Sequence, residues 1–133
     1  MSFFARHQRL LLLLGTAYVL GLVIIHARLP PAHVWWIAAA FSILMNIPYV
    51  IESRAVGAHA KLEVGITSTL IALSLAGPLI APPFVIIAIF AHGLWDISKH
   101  HGVGVPFASW YTLGCAVIDI LYGTALLIYW LTI

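Results

Sequence analysis

The sequence predicts an all-α fold: a polytopic transmembrane bundle of five helices, N-in and C-out, formed by a single domain, residues 1–133. The first observation is composition, because the chain is 63% hydrophobic and only 8% charged, whereas a soluble domain carries about 25% charged residues. The second is the length of the apolar runs, which suffices for several crossings at about 20 residues each. The third is the distribution of basic residues, which predicts the orientation.

The first two spans are bounded by charged residues. The first, about 10–26, follows Arg6 and Arg9 and contains no cleavage site typical of a secretory signal, so we expect it to be retained. The second, about 34–52, begins beside two tryptophans, whose rings prefer the headgroup level of a bilayer, and it ends at Glu52.

The long apolar tract at 62–95 predicts two helices rather than one. A single helix of that length would extend about 50 Å, whereas the hydrocarbon core is about 30 Å thick. Gly77-Pro78 and Pro82-Pro83 can break it. The remaining spans are therefore predicted at about 62–76, 83–100 and 107–131.

The basic residues favour a cytoplasmic N-terminus. With five spans in that orientation, five of the six Lys and Arg residues lie inside and only Arg28 lies outside, as the positive-inside rule requires. A four-span alternative, in which the third and fourth helices are fused, would place Lys99 outside and weaken the agreement.

Several classes of function lack their sequence signals. Cys115 is the single cysteine, which excludes an internal disulfide and a CxxC motif. The chain has no basic patch, glycine-rich phosphate loop or nucleophile elbow. We therefore expect no nucleic-acid partner; the expected partners are membrane lipids, a lipophilic substrate and, left open, a second copy of the chain.

The segment 91–101, AHGLWDISKHH, carries the densest group of polar residues. On a helix, His92, Asp96 and His100 are spaced i, i+4 and i+8 and share one face. A carboxylate beside an imidazole either orients a metal-binding histidine or is itself a ligand. The alternative is a polar cluster at the helix end, with Asp96 paired to Lys99.

Topology brings two more acids to the same depth, because Glu52 ends the second span and Glu63 begins the third. The sequence therefore predicts a metal site for zinc or iron. Its predicted ligands are Glu63, His92, Asp96 and His100. The alternative is that the two glutamates are interfacial charges beside Arg54 and Lys61.

Asp119 lies near the middle of the fifth span. A charge at the bilayer centre costs at least about 2.5–3.5 kcal/mol, so such residues suggest function. We predict a catalytic role for Asp119, with Glu52 as the second candidate. The alternative is a protonated interior carboxyl, hydrogen-bonded to a neighbouring helix.

The order of these residues resembles a family of small bacterial integral membrane proteins. The resemblance covers about the last 70 residues and departs from the family at Lys99, where a histidine is expected. It is carried by Glu63, by His92-x-x-Trp95-Asp96-x-x-x-His100 and by Gly114-Cys115-x-x-x-Asp119. It implies that these residues belong to one pattern in a bacterial cytoplasmic membrane protein, and it implies no activity.

The function predicted from the residues is metal-dependent chemistry on a lipid or isoprenoid substrate. Three alternatives stay open. They are a metal-free acid–base enzyme acting on an isoprenoid, a small proton- or ion-coupled transporter, and a structural membrane subunit whose polar residues join helices.

Overall fold

The computed structural model describes residues 6–26 and 28–133, and these residues form five α-helices and no strand. The helices are α1 (Gln8–His26), α2 (Pro31–Val56), α3 (Ala60–Leu79), α4 (Pro83–His100) and α5 (Ser109–Thr132). The prediction of an all-α bundle of five helices is therefore confirmed.

Four of these helices, α1, α2, α3 and α5, are long and apolar enough to cross a membrane, as expected of a multi-pass membrane protein. α4 differs because its C-terminal half carries His92, Asp96 and Lys99. α4 packs against α2, α3 and α5, and these three side chains are at most 4% exposed. The helix therefore directs its polar residues toward the other helices.

The connection between α3 and α4 is shorter than expected. α3 continues through Gly77 and Pro78 and ends at Leu79, three residues beyond the expected end. A proline removes one hydrogen bond of the helix, but the ladder resumes where Ile80 donates its N–H to the carbonyl of Ala76 at 2.9 Å. The two helices consequently form an antiparallel hairpin that turns within residues 80–82.

The bundle has an apolar end and a polar end. The apolar core lies where α1 and α5 finish and where α2 and α4 begin, and it includes Leu22, Val34, Trp35, Val85, Ile89 and Leu126. α1 runs alongside α5 in the same direction. The first half of α1 shares a cleft with the first half of α5, and further along both helices the hydroxyl of Tyr122 hydrogen-bonds Nε2 of His26 at 2.9 Å. The buried ionisable residues of α3, α4 and α5 lie toward the opposite end.

Candidate metal centre

One histidine and two aspartate side chains meet between α4 and α5. His92 Nδ1 lies 2.7 Å from Asp119 Oδ2 and 3.5 Å from Asp96 Oδ2. All three residues are at most 1% exposed, and one potential ligand atom from each lies within 4.8 Å of the others. This group, His92, Asp96 and Asp119, is hereafter the His–Asp–Asp group, and it could hold a metal ion.

Local sequence explains why the group forms. His92 and Asp96 are one turn apart on α4 and therefore share a face. A Cβ atom on Gly93 would lie 3.1 Å from Asp119 Cβ, so glycine at this position allows α5 to approach α4 closely beside His92. At 1.5 Å per residue, Asp119 is about 15 Å from the start of α5 and His92 about 12 Å from the end of α4. The group therefore lies near half the thickness of a hydrocarbon core.

Tyr49 on α2 completes the surroundings of the group. Its hydroxyl donates a hydrogen bond to Asp96 Oδ1, and its ring is nearly parallel to that of His92, with centroids 5.8 Å apart and planes at 19°. Tyr49 is not among the site residues predicted from the sequence. A signal was available in the helical spacing of four polar residues that α2 buries together, Ser42, Asn46, Tyr49 and Ser53.

Several polar atoms of the group lack a hydrogen-bond partner among the described residues. They are His92 Nε2, Asp96 Oδ2 and Asp119 Oδ1, together with Asn46 Oδ1 nearby on α2. The backbone of Met45 is close enough to the His92 ring to act as a hydrogen-bond acceptor, although no contact with Nε2 has the geometry of a normal hydrogen bond. Leaving such atoms unpaired costs about 1–3 kcal/mol each, and buried charges in proteins are usually paired or bound to metals.

Glu63 is buried but lies in a second, separate cluster. Its Oε1 forms an ion pair with Lys99 Nζ and accepts the N–H of Val105 at 2.8 Å, while Oε2 lies 3.4 Å from Trp95 Nε1. Lys99 Nζ also lies 4.4 Å from the centroid of the Tyr49 ring. The partner of Lys99 is thus Glu63 rather than Asp96, and three donors already occupy the Glu63 carboxylate.

The other two predicted site residues lie apart from the His–Asp–Asp group. Glu52 is 5% exposed near the end of α2, and within the described chain it has no hydrogen bond or ion pair. His100 is exposed at the end of α4, where its ring meets that of His101 edge to face at 5.4 Å. The structure therefore brings together His92, Asp96 and Asp119 and leaves Glu52, Glu63 and His100 outside.

The arrangement has two chemical capacities. One imidazole nitrogen and carboxylate oxygens from two residues could serve as the three protein ligands that catalytic metal sites typically use. Alternatively, the contacts from Tyr49 through Asp96 and His92 to Asp119 form a chain along which a proton can be held or moved. No protein-family model matches this chain, and no curated protein or solved structure is significantly similar to it.

Proposed function

We propose that the chain is a membrane-embedded enzyme that binds a divalent metal ion, zinc or iron, through His92, Asp96 and Asp119 and acts on a lipophilic substrate. The observation that carries the proposal is the buried group itself, in which one potential ligand atom of each residue lies within 4.8 Å of the others; each of the three residues also has a side-chain atom without a hydrogen-bond partner in the described part of the chain. A cation at this position would satisfy them.

Charge supports a metal ion at this position. Two buried carboxylates face one imidazole nitrogen, and the nearby Lys99 is already paired with Glu63. Even with a protonated His92, the group would retain a net negative charge if both carboxyls are ionised. In a low-dielectric interior such charge is neutralised either by a bound cation or by a proton on one carboxyl.

The neighbouring residues have supporting roles in the proposed centre. Tyr49 holds Oδ1 of Asp96, which leaves Oδ2 directed at His92; such outer partners orient metal ligands. A bound metal would supply Lewis acidity or an activated water molecule. The depth of the group, about 12–15 Å from the helix ends, favours a substrate that partitions into the bilayer.

Metal analysis of purified protein tests the proposal. The full chain, carrying an affinity tag without histidine, is purified in detergent, incubated with Zn²⁺ or Fe²⁺, and analysed by mass spectrometry for bound metal. We expect about one metal ion per chain in the wild type. His92→Ala and Asp119→Asn each remove a ligand and should lose at least about tenfold in affinity.

Two control variants show whether metal binding depends on the His–Asp–Asp group or on other acids and histidines of the chain. Glu52→Gln changes a buried acid outside the His–Asp–Asp group, and His100→Ala removes an exposed histidine. Both variants should bind metal as the wild type does. Folded wild-type protein that binds neither ion would contradict the proposal, and so would metal binding that survives His92→Ala and Asp119→Asn.

A metal-free acid–base enzyme is the second candidate, and the 2.7 Å contact between His92 Nδ1 and Asp119 favours it. In that case the carboxylate would orient the ring, and the Asp–His pair would exchange a proton with the substrate. The ¹⁵N NMR spectrum of labelled histidine distinguishes the two candidates. If the group binds metal, added Zn²⁺ would change the ¹⁵N chemical shift of one ring nitrogen of His92. If it does not, both chemical shifts would stay the same.

A further inference from the structure

An apolar cleft of about 450 Å³ lies between α1 and the pair formed by α2 and α5. Leu14 and Gly15 lie on its α1 side, whereas Met45, Tyr111 and Cys115 line it from α2 and α5. Its volume is in the lower part of the 300–1,000 Å³ range of small-molecule sites. That volume suits one chain better than a whole two-chain lipid.

The inner wall of the cleft adjoins the His–Asp–Asp group. Cys115 precedes Asp119 by one helical turn on α5, and both Asp96 and Asp119 act electrostatically on its thiol. Tyr111 hydrogen-bonds the same thiol, and Met45 is the residue whose carbonyl acts on the His92 ring. One layer of side chains therefore separates the cleft from the proposed metal ligands.

Two glycines keep the cleft wide. Gly15 on α1 and Gly114 on α5 both line it, and a Cβ atom added to either would meet nothing within 4 Å. Glycine inside a helix is less favourable than alanine, and neither of these residues permits a close helix contact. Their effect is to leave open space between two helices that can each cross a membrane.

We propose that this cleft binds a single hydrocarbon chain, with the chain's reactive end beside Cys115 and Tyr111. The inference rests on the proposed function and names the substrate class of the same site. The largely apolar lining favours a hydrocarbon chain, and the position between α1 and α5 lets the chain enter from the lipid phase without crossing water. The occupant is an acyl or a polyisoprenyl chain, which share this chemistry.

Photolabelling of the full chain in nanodiscs tests the inference. The probes are hexadecanol and farnesol that carry a diazirine, and the labelled residues are mapped by mass spectrometry. We expect labelling of the cleft wall around residues 110–118, which an excess of the unlabelled alcohol prevents. If hexadecanol competes better, the chain is acyl; if farnesol does, it is isoprenoid; either preference supports the inference.

A matched pair of variants shows whether the labelling reports the cleft. Gly114→Leu places four carbons in the cleft, and Gly65→Leu adds the same side chain to α3, outside it, where a Cβ also meets nothing within 4 Å. We expect Gly114→Leu to lower labelling about tenfold and Gly65→Leu to leave it unchanged. Equal labelling of all three proteins, or labelling that excess alcohol does not prevent, would overturn the inference.

Metal content, measured on the same samples, separates this inference from the proposed function. Gly114→Leu should bind metal as the wild type does, because it does not touch the His–Asp–Asp group. Specific cleft labelling of a protein that binds no metal would support the chain site while the proposed metal centre fails. Metal binding without specific labelling would overturn the chain site alone.

Discussion

At the scale of single residues, His92 is held by carboxylates from two directions. Asp119 on α5 approaches its Nδ1 to 2.7 Å, and Asp96 on the same helix as His92 approaches it to 3.5 Å. One ring nitrogen can carry one proton, so it cannot make full hydrogen bonds to both acids at once. A metal ion could be shared among all three side chains, whereas a single proton on Nδ1 could not.

Replacing Tyr49 by phenylalanine tests how Asp96 is oriented. Tyr49→Phe removes the hydroxyl that donates to Asp96 Oδ1 but keeps the ring beside His92. We expect Tyr49→Phe to bind one metal ion per chain with an affinity about 10–100-fold lower than that of the wild type. Losing a hydrogen bond that orients a metal ligand typically has an effect of this size. Metal titration followed by isothermal calorimetry measures the change.

Tyr18→Phe is the control for this substitution, because Tyr18 stacks on Phe41 away from the group. Its metal affinity should equal that of the wild type. If both variants bind metal as tightly as the wild type, Tyr49 does not position Asp96 for the ion.

At the scale of the helices, Glu63 and Lys99 join three parts of the chain. Glu63 belongs to α3, Lys99 to α4, and the N–H of Val105 to the segment before α5. All the donors converge on one fully buried carboxylate. The cluster therefore fixes the polar ends of α3 and α4 and the path of residues 101–108 between α4 and α5.

Removing Lys99 should strongly destabilise the bundle. Lys99→Met leaves the Glu63 carboxylate buried without its cation, and breaking a buried ion pair from one side costs about 3–5 kcal/mol. Reversible unfolding in mixed detergent micelles measures the loss. Lys61→Met, at an exposed position of α3, should change stability by less than about 0.5 kcal/mol.

The double variant Lys99→Met/Glu63→Gln tests whether the stability lost in Lys99→Met comes from the unpaired carboxylate of Glu63. It removes both charges, so it should recover part of the stability lost in Lys99→Met. A double variant that is less stable than Lys99→Met would show that the loss comes from packing of the lysine stem instead.

Gly104 has both a conformational and a steric role in the same cluster. Its φ is +77°, and a Cβ atom would lie 2.6 Å from Glu63 Oε1, whereas Gly102 has a φ of +88° but open space around it. Both Gly→Ala variants should lose about 1–2 kcal/mol to the left-handed backbone. Gly104→Ala should lose at least about 1 kcal/mol more, in the same unfolding assay, because it also displaces Glu63. Equal losses in the two variants would contradict this role.

The element pattern could be predicted because it depends on local composition. Apolar length and the prolines at 82 and 83 place the start of α4 at Pro83, as predicted, and helical periodicity places His92 and Asp96 on one face. Neither signal gives the rotation of one helix against another. The sequence alone thus could not decide whether Glu63 would meet His92 or, as the structure has it, Lys99.

Partners across the bundle were harder to predict for the same reason. Tyr49 is 47 residues from Asp96. Helical spacing groups it with other polar residues of α2, but this spacing does not show which helix that face meets. Depth and the family resemblance predict Glu63 as a metal ligand, and in the alternative its neighbour Lys61 is the expected charge partner. The actual partner, Lys99, lies 36 residues away. Glu63 therefore pairs with a lysine on a helix that packs against α3, not with the lysine nearest to it in the sequence.

At the scale of the whole molecule, the two ends of the bundle differ in charge. The end that holds the Glu63–Lys99 cluster also holds Arg9, Arg54 and Lys61, whereas Arg28 lies at the opposite end, beyond the apolar core. The positive-inside rule therefore predicts that the polar end faces the cytoplasm. With five helices, the C-terminus then lies on the outer side.

Cysteine labelling tests this orientation in a Cys115→Ala background. Each of four exposed residues is replaced singly by cysteine in protein expressed in a bacterial cytoplasmic membrane. Ile80→Cys and Ile133→Cys lie at the apolar end and should react with a membrane-impermeant maleimide in intact spheroplasts. Val56→Cys and Val103→Cys lie at the polar end and should react only after permeabilisation, because five basic residues hold that end inside. The reverse pattern would contradict the orientation, and reaction of all four cysteines in intact spheroplasts would contradict a single fixed topology.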